Sequence, residues 1–425
     1  MLSRRGRLPR EVSSWPGGER SPIELGKRSS RSCPNRHSTR GAGVRELPTE
    51  DTVVRAEDAL TVAGVLGRLL GYEVSYPEYG DDRKDTRMKQ KQVLLTQKGG
   101  PEVLEVVERE APEPGPGEAR VKVLATGVAF ADVMMRYGLY PGVPKFPYTP
   151  GYDLVGEVED LGPNVSGVAV GQRVAALTQI GGYAQYVALP VGELVRVPVG
   201  VDAAEVASLP VNYVTAYQML FRVAKVKPGE RILVHGAAGG VGTAMLQLGR
   251  LQGLEMYGTA SAGKHDLVSE LGGTPIDYKA EDFVERVRAL TGDGMDAVFD
   301  HIGGAHVARS FGTLRRGGRL VGYGLSSGLA SGVSFVGLAA TTLSRIALWN
   351  TLPNGKRATF YTIYTVKRKH PEWFREDLAL LLGLLAEGRI QPIVSERLPL
   401  EEVVRAHELM ENAGMRGKIV LLPNG

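Results

Sequence analysis

A run of glycines between a short apolar stretch and a helical pattern is the feature of this sequence most closely tied to chemistry. Ile232-Leu233-Val234 is followed by His235-Gly236-Ala237-Ala238-Gly239-Gly240-Val241-Gly242. Glycine at this spacing forms a tight turn, lets the backbone approach a pyrophosphate and lets a helix pack closely on a strand. The following helix directs its unpaired amide groups toward the phosphates. This context favours cofactor binding over a purely structural turn, and the predicted contacts are Gly236, Gly239, Gly240, Val241 and Gly242.

The choice of cofactor depends on the end of the next strand. An NAD site places an acidic residue there to bind the ribose 2′-hydroxyl. The sequence reads Thr259-Ala260-Ser261-Ala262-Gly263-Lys264, without an acid. Ser261 and Lys264 are suited to a 2′-phosphate, and Tyr278, past the following strand, adds a hydroxyl. The alternative is that Lys264 is an ordinary surface lysine. The missing acid favours NADPH.

Strands and helices alternate around the glycine run. Short apolar strands are predicted at 231–235, 255–259, 297–300 and 320–323, and amphipathic helices at 243–251 and 281–290. This rhythm is typical of an α/β fold with a doubly wound parallel sheet, the Rossmann arrangement.

The segment before the glycine run, residues 93–189, has a different sequence pattern. Six short strands without intervening helices are predicted at 93–96, 103–107, 120–124, 154–158, 173–176 and 183–189. Such a series indicates a small, mostly antiparallel β-barrel. Near the C-terminus we predict a helix at 373–385, a strand at 391–394, a helix at 401–412 and a strand at 418–422, which return to the barrel.

These patterns divide the chain of 425 residues into four segments. A disordered leader is predicted over 1–87, with Met88 as an alternative start of translation. The first part of a catalytic domain follows at 88–214, then the cofactor domain at 215–345 and the returning C-terminal part at 346–425.

Charge and cysteine content narrow the function classes. Residues 1–45 hold eleven Lys/Arg and three Asp/Glu, which is a net charge of +8. The formal net charge of the whole chain is +4, so the remaining residues have a net charge of about −4. This argues against a nucleic-acid groove on the folded body. The single cysteine, Cys33, cannot form an intrachain disulfide, and neither a secretory signal nor a membrane span is predicted. We predict a cytoplasmic protein.

Several motifs together resemble a known family. They are Val211-Asn212-Tyr213-Val214-Thr215-Ala216-Tyr217, Pro228-Gly229-Glu230, the glycine run, Asp300 with Gly303-Gly304, Gly317-Gly318-Arg319, Gly388-Arg389-Ile390, Pro399-Leu400-Glu401-Glu402 and Gly417-Lys418-Ile419-Val420. From about Met88 to Pro423 the chain resembles the zinc-free quinone oxidoreductase branch of the medium-chain dehydrogenase/reductase superfamily. Residues 209–248 are most similar to its synaptic-vesicle membrane protein type.

The resemblance implies a GroES-like catalytic domain, a Rossmann domain and an active site in the cleft between them. It also implies a homodimer joined through the cofactor domains, for which the apolar run at 333–339 is the candidate edge. Thr215 is expected to contact the nicotinamide amide. Tyr323, Gly324 and Leu325 are expected beside the nicotinamide ring.

The same resemblance bears on metal binding. The zinc-dependent branch has Gly-His-Glu where this chain has Gly151-Tyr152-Asp153, and its zinc-ligating cysteine falls near Ala129. A catalytic zinc needs thiolate and imidazole ligands, and the only thiol lies in the leader. No two histidines show metal-ligand spacing. We therefore predict no metal.

Without a Lewis acid, the suitable hydride acceptors are already electrophilic, namely quinones and α,β-unsaturated carbonyls. Relatives usually have asparagine at Ala129, and some have tyrosine at Met134, so the pocket mouth here is expected to be wide and apolar, lined also by Phe130. Tyr140 and Asp132 are the candidate catalytic residues. Tyr140 could donate a proton or simply line the cleft, and Asp132 could orient the loop.

Two other functions stay open at this point. A 2-enoyl-thioester reductase would share the glycine run and the Ser261/Lys264 arrangement, although no acyl-carrier segment is present. A regulator that binds NADPH without catalysis is favoured by Ala129 and Met134.

Overall fold

The computed structural model describes residues 88–140, 142–328, 335–412 and 414–425. The predicted leader, 1–87, lies outside the described residues, and so do positions 333 and 334 of the predicted joining edge.

Fifteen strands are present in the described residues, and we number them in chain order. They are β1 (Lys89–Leu95), β2 (Leu104–Glu110), β3 (Glu118–Val128), β4 (Asp153–Leu161), β5 (Arg173–Leu177), β6 (Tyr186–Pro190), β7 (Val195–Arg196), β8 (Arg231–His235), β9 (Glu255–Ala260), β10 (Gly273–Asp277), β11 (Met295–Asp300), β12 (Leu314–Gly322), β13 (Arg357–Phe360), β14 (Val394–Pro399) and β15 (Lys418–Leu422).

Eleven α-helices are described along the same residues. They are α1 (Phe130–Arg136), α2 (Ala203–Val206), α3 (Val214–Tyr217), α4 (Gly240–Gln252), α5 (His265–Glu270), α6 (Phe283–Thr291), α7 (Gly304–Gly312), α8 (Phe335–Thr351), α9 (Ile363–Lys369), α10 (Pro371–Ala386) and α11 (Val403–Glu411). Two π-helical segments, Leu209–Tyr213 and Gln218–Val223, extend α3 at both ends. None of the described helices is both long and apolar enough to cross a membrane, and cytoplasmic localisation stays a prediction.

Six strands form one parallel sheet in the order β10-β9-β8-β11-β12-β13. This is the doubly wound order, which reverses direction between β8 and β11. The predicted Rossmann sheet is therefore confirmed. Its interior is apolar and includes Leu233, Val298 and Leu320. The carboxyl ends of β8 and β11 form the crevice in which this fold binds ligands.

The parallel sheet extends beyond the predicted boundary at residue 345. Its edge strand is β13, so the strand predicted at 320–323 is not the last one. The described part of the predicted joining edge, 335–339, belongs to helix α8 and is not a sheet edge. The edge strand escapes prediction because β13 has only four residues (Arg-Ala-Thr-Phe) and no apolar run to mark it.

A second sheet is mostly antiparallel and has the order β14-β15-β3-β4-β5-β7, with β6 also paired to β3. It confirms the predicted GroES-like barrel component. β15 pairs with β3, so the C-terminal segment returns to this sheet. The strand predicted at 391–394 begins only at Val394, because residues 391–393 form no ladder. The core includes Val121, Leu154 and Val174.

Candidate active site

The glycine loop leaves the carboxyl end of β8 and leads directly into helix α4. Gly236 has a left-handed backbone (φ +65°). A Cβ on Gly242 would lie 2.6 Å from the Cα of Ala237 and overlap the Gly236 carbonyl oxygen. A Cβ on Gly239 would meet only the Gly236 carbonyl oxygen, at 3.3 Å. Gly242 therefore serves close packing of helix on strand, whereas Gly239 has an open side.

Helix α4 has thirteen residues and begins at Gly240, so its first amide groups belong to Gly240, Val241 and Gly242. These groups have no partner within the helix and suit an anion. Gly240 is crowded from the other side, because a Cβ there would lie 2.9 Å from Cγ of Asn212. The π-helical segment before α3 thus packs against the start of the phosphate-binding helix.

His301 lies in the crevice between β8 and β11. A Cβ on Gly236 would be 2.6 Å from its Nε2 atom, and its Nδ1 atom is 3.0 Å from Ser326 Oγ. Burial lowers the pKa of His301, which favours the neutral imidazole near neutral pH.

A buried polar network lies beneath the same strand ends. His306 Nδ1 is 2.8 Å from Asp300 Oδ2, Ser310 Oγ donates to the same oxygen at 2.6 Å, and His235 Nε2 is 3.0 Å from Ser310 Oγ. Desolvation lowers the pKa of His235 to about 3, so its imidazole is neutral. The network joins β8 and β11 to helix α7.

His235, Asp300 and His306 also form the one group in the described part of the chain that is close enough to hold a metal ion. Their sequence spacing does not reveal this proximity, because it arises only when β8 and β11 pair. The nitrogen and oxygen atoms that face one another in this group already form hydrogen bonds with each other and with Ser310.

The end of β9 is basic, as a 2′-phosphate requires. Ser261 precedes the short helical turn Ala262–Lys264. Lys264 is partly buried, and its Nζ atom donates to the Met415 carbonyl oxygen at 2.9 Å. Desolvation first, and then the charges of Arg416 and Lys279, lower the pKa of Lys264. Three cations therefore lie near this end of the strand.

Arg416 comes from the segment that precedes β15. It forms an ion pair with Asp266 at 2.7 Å and also hydrogen-bonds the Gly263 carbonyl oxygen. The next residue, Gly417, donates its amide to the Ala238 carbonyl oxygen at 3.0 Å. The C-terminal segment thus contacts both cofactor loops. Sequence reasoning missed Arg416 because it lies about 150 residues from Asp266 in the chain.

The structure places the other predicted cofactor contacts, namely Tyr278, Thr215, Tyr323 and Gly324, in or directly after elements of the cofactor domain. Tyr278 follows β10, and about half of its surface is exposed (53 %). Thr215 is buried in α3. Tyr323 follows β12 and donates its amide to the Asp300 carbonyl oxygen at 2.9 Å. Gly324 closely approaches the next strand end, because a Cβ there would lie 2.5 Å from the His301 carbonyl oxygen.

Leu325 is buried directly after Gly324. Burial raises the pKa of Tyr323, so its phenol stays protonated at neutral pH. The three residues 323–325 thus follow β12 and lie next to His301.

Asp132 lies in the interior of the barrel domain, where both carboxylate oxygens accept hydrogen bonds. The donors are the Ala129 amide at 2.9 Å, the Gly151 amide at 3.2 Å and the Tyr183 hydroxyl at 3.1 Å. Desolvation raises the pKa of Asp132 to about 7. Asp132 is therefore better suited to holding these two loops together than to contacting a substrate.

Tyr140 and Tyr152 form a phenol pair beside these loops. Their hydroxyl oxygens are 2.6 Å apart, and the rings meet edge to face with centroids 5.9 Å apart. Tyr140 is partly exposed and Tyr152 is buried. Of the predicted mouth residues, Ala129 and Met134 are buried and Phe130 is exposed.

The residues at this site do not fit the zinc found in related dehydrogenases. A methyl group and a phenol stand at positions 129 and 152, where the zinc-dependent branch has cysteine and histidine. Neither side chain offers the thiolate or imidazole that such a site uses.

Comparisons with known proteins agree with this architecture. The family described as "Zinc-binding dehydrogenase" matches residues 271–421, and "Alcohol dehydrogenase GroES-like domain" matches residues 115–199. A synaptic vesicle membrane protein VAT-1 homolog from Rattus norvegicus is 35% identical over 339 residues, which are 78% of this chain and 83% of the relative. A 2-haloacrylate reductase from a Burkholderia species is 33% identical over 344 residues, 78% of this chain and 98% of the relative.

Among solved structures, the quinone oxidoreductase of Escherichia coli in complex with NADPH has a TM-score of 0.69 and 29% identity, and the match covers 78% of this chain and 100% of that one. These similarities extend over both sheets and the glycine loop. The chain belongs to the medium-chain dehydrogenase/reductase superfamily, in the branch that includes quinone oxidoreductases and the VAT-1 homologs.

Proposed function

We propose that this protein is an NADPH-dependent oxidoreductase that reduces quinones or α,β-unsaturated carbonyl compounds without zinc. The observation that carries the proposal is the cluster of Lys264, Arg416 and Lys279 at the end of β9, where an NAD-specific site would have a carboxylate. The proposal also draws on the E. coli relative, which was solved with NADPH.

The chain's residues fit the pyrophosphate and the 2′-phosphate of such a cofactor. The amides of Gly240, Val241 and Gly242 suit the pyrophosphate, and the open side of Gly239 leaves room for it. Lys264 and Arg416 are both cationic and lie at the end of β9 next to Ser261, so they suit a 2′-phosphate. When bound, NADPH supplies a hydride.

The barrel side supplies orientation and a proton. Asp132 holds the Ala129 and Gly151 loops together, and Tyr140 presents a partly exposed phenol next to them. That phenol suits protonation of a carbonyl oxygen during reduction. The names of two relatives, a quinone oxidoreductase and a 2-haloacrylate reductase, support an electrophilic acceptor of this kind.

The test measures the loss of nicotinamide absorbance with the purified full chain, with NADPH or NADH as donor. The acceptors are an ortho-quinone, a para-quinone, a long-chain enal and crotonyl-CoA. We expect NADPH-selective turnover of a quinone or the enal. Turnover of crotonyl-CoA alone would identify a 2-enoyl-thioester reductase, and NADPH binding without any turnover would identify a regulator.

Arg416→Gln tests the basis of cofactor choice in the same assay. Loss of one charge-assisted contact to a phosphate predicts that KM for NADPH rises about tenfold or more, while KM for NADH is unchanged. Arg405→Gln is the matched control, because Arg405 is exposed on α11 and pairs with Glu402. An equal effect of Arg416→Gln on both cofactors would contradict a 2′-phosphate contact.

A further inference from the structure

Tyr152 lies at the point where the zinc-dependent relatives have a ligating histidine. It directly precedes β4, and β4 and β5 both contact the π-helical segment Leu209–Tyr213. That segment packs against Gly240 through Asn212. Tyr152 therefore directly precedes a strand that contacts the segment packed against the phosphate-binding helix. Its side chain is only 1% exposed, so it cannot meet a substrate as an open surface group does.

We infer that Tyr152 is a positioning residue that donates a hydrogen bond to Tyr140 and so prepares Tyr140 as the proton donor of the reaction. The inference rests on the proposed function and concerns how its proton is delivered. The observation behind it is the 2.6 Å separation of the two phenol oxygens.

The direction of this hydrogen bond follows from the number of protons. Each phenol has one proton and an oxygen that accepts. If the proton of Tyr140 points to a substrate oxygen, the proton between the two tyrosines must come from Tyr152. Tyr140 is the more exposed of the two, so it is the one placed to meet a substrate. Tyr152 then stabilises the negative charge that Tyr140 acquires when it gives up its proton.

The backbone around Tyr152 is held by neighbouring loops. Its carbonyl oxygen accepts the amides of Thr178 at 3.0 Å and Gln179 at 3.1 Å. Gln179 adopts the left-handed region to do so (φ +68°), which is uncommon for a residue other than glycine. Gly151, on the other side, donates its amide to Asp132. These contacts fix the position from which the Tyr152 phenol reaches Tyr140.

For an enal or enone, bound NADPH would supply the hydride that forms a C–H bond at the β-carbon, and the π electrons would move to the carbonyl oxygen. The O–H bond of Tyr140 breaks, and its proton forms a new O–H bond on that oxygen. Tyr140 is left as a phenolate that accepts the hydrogen bond of Tyr152 and regains a proton from solvent. The substrate is reduced and the nicotinamide is oxidised.

The first test compares Tyr140→Phe, Tyr152→Phe and the double variant in the full-length holoenzyme with an enal. We expect Tyr140→Phe to lower kcat/KM about a hundredfold and Tyr152→Phe to lower it about tenfold. The double variant should match Tyr140→Phe within about twofold, because Tyr152 acts through Tyr140. Additive losses would mean separate roles and would overturn the inference.

The second test does not depend on turnover. With 3-fluorotyrosine at position 140, the fluorine resonance is followed against pH in the wild-type background and in Tyr152→Phe. A hydrogen bond to the ionised form favours ionisation, so its loss should move the titration midpoint to higher pH by about one unit. The alkaline fall of kcat/KM should move in the same direction. A midpoint that does not move shows that Tyr152 only packs, and the inference fails.

Tyr213→Phe is the matched control, since it also removes a buried phenol hydroxyl. That hydroxyl has no hydrogen-bond partner among the described residues, so the control should keep the wild-type rate and titration. If the wild-type protein reduces no acceptor, the proposed function fails, whereas the fluorine titration still decides whether Tyr152 acts on Tyr140.

Discussion

His407, on helix α11, is fully buried against Tyr183 of the barrel domain. Its Nε2 atom is 3.5 Å from the Tyr183 hydroxyl, and its Nδ1 atom has no partner among the described residues. Desolvation, with a smaller effect of Arg136, lowers the pKa of His407 to about 3. The imidazole is therefore neutral in the folded protein across the range in which an unfolded histidine takes up a proton.

This depressed pKa makes stability depend on pH. Between about pH 3 and pH 6.5 the unfolded chain binds a proton at His407 and the folded chain does not, so this stability contribution is present above that window and is lost as pH falls. Between pH 7 and pH 5 the loss from one such group is about 2 kcal/mol. His407→Gln should reduce by that amount the fall in unfolding free energy measured by urea denaturation.

The control for this prediction is His370→Gln, which removes an exposed imidazole before α10. The free energy of unfolding of this variant should decrease between pH 7 and pH 5 by the same amount as that of the wild-type protein. His235, which has the same depressed pKa, contributes equally to all three proteins and cancels in the comparison. A His407→Gln variant that loses as much stability as wild type would contradict the assignment.

Substitutions at two glycines of the β8–α4 turn, Gly239 and Gly242, should affect cofactor binding and folding stability to different extents. Gly239 has an ordinary extended backbone (φ −81°), and its open side faces no atom closer than 3.3 Å. Gly239→Ala should therefore lose little stability, because the one tight contact needs only a small shift of the Gly236 carbonyl oxygen. It should weaken NADPH binding at least tenfold, because the methyl group occupies space where the backbone approaches the pyrophosphate. Fluorescence titration with NADPH and thermal melting without it measure the two effects.

Gly242→Ala should show the reverse order of effects, since its methyl group overlaps backbone atoms of Gly236 and Ala237. Overpacking of this kind destabilises by about 1–3 kcal/mol, which is visible in the cofactor-free melt. Gly383→Ala in α10 is the control, because a Cβ there meets nothing within 4 Å; it should bind NADPH normally and gain about 0.5–1 kcal/mol of stability. Equal melting of both loop variants would contradict the distinction.

Elements with a strong local pattern could be predicted from the sequence, and weakly patterned ones could not. The strand at 231–235 has the same bounds in the structure, because Ile-Leu-Val between a charged residue and a glycine loop has few alternatives. β13 could not be found, since its four residues pair with β12 only through tertiary contact. For helix α8 the sequence predicts only an apolar run, because part of that run shows no helical period.

The candidate site shows the same division. The glycine loop and Ser261/Lys264 are contiguous in sequence, and local spacing was enough to propose their roles. The contact of Arg416 with Asp266 and the contact of His235 with Asp300 both join residues far apart in the chain. Such contacts form only in the folded protein, and spacing along the chain does not reveal them. The sequence also does not indicate that Tyr140 pairs with Tyr152, although the resemblance aligns Tyr152 with a zinc ligand of the zinc-dependent branch.

At the scale of the whole molecule, the outer face of α8 is apolar and open. Val336, Leu343 and Leu348 are each about half exposed (44 %, 40 % and 56 %), and α8 packs its other face near the edge strand β13. Arg345 is the one charged residue of the helix, and it hydrogen-bonds the Gly304 carbonyl oxygen. Large uncharged exposed patches on folded domains commonly mark contact surfaces.

We expect this face to join two copies through their cofactor domains, as the family resemblance implies. Light scattering coupled to size-exclusion chromatography should give twice the mass of one chain, and Leu343→Glu should give the mass of one chain because it buries a charge in the contact. Val199→Glu is the matched control, since Val199 is fully exposed in a loop of the barrel domain and should leave the dimer intact. A wild-type protein with the mass of one chain would contradict the expectation. A dimer unaffected by Leu343→Glu would place the contact elsewhere, with β13, the edge strand among the described residues, as the next surface to test.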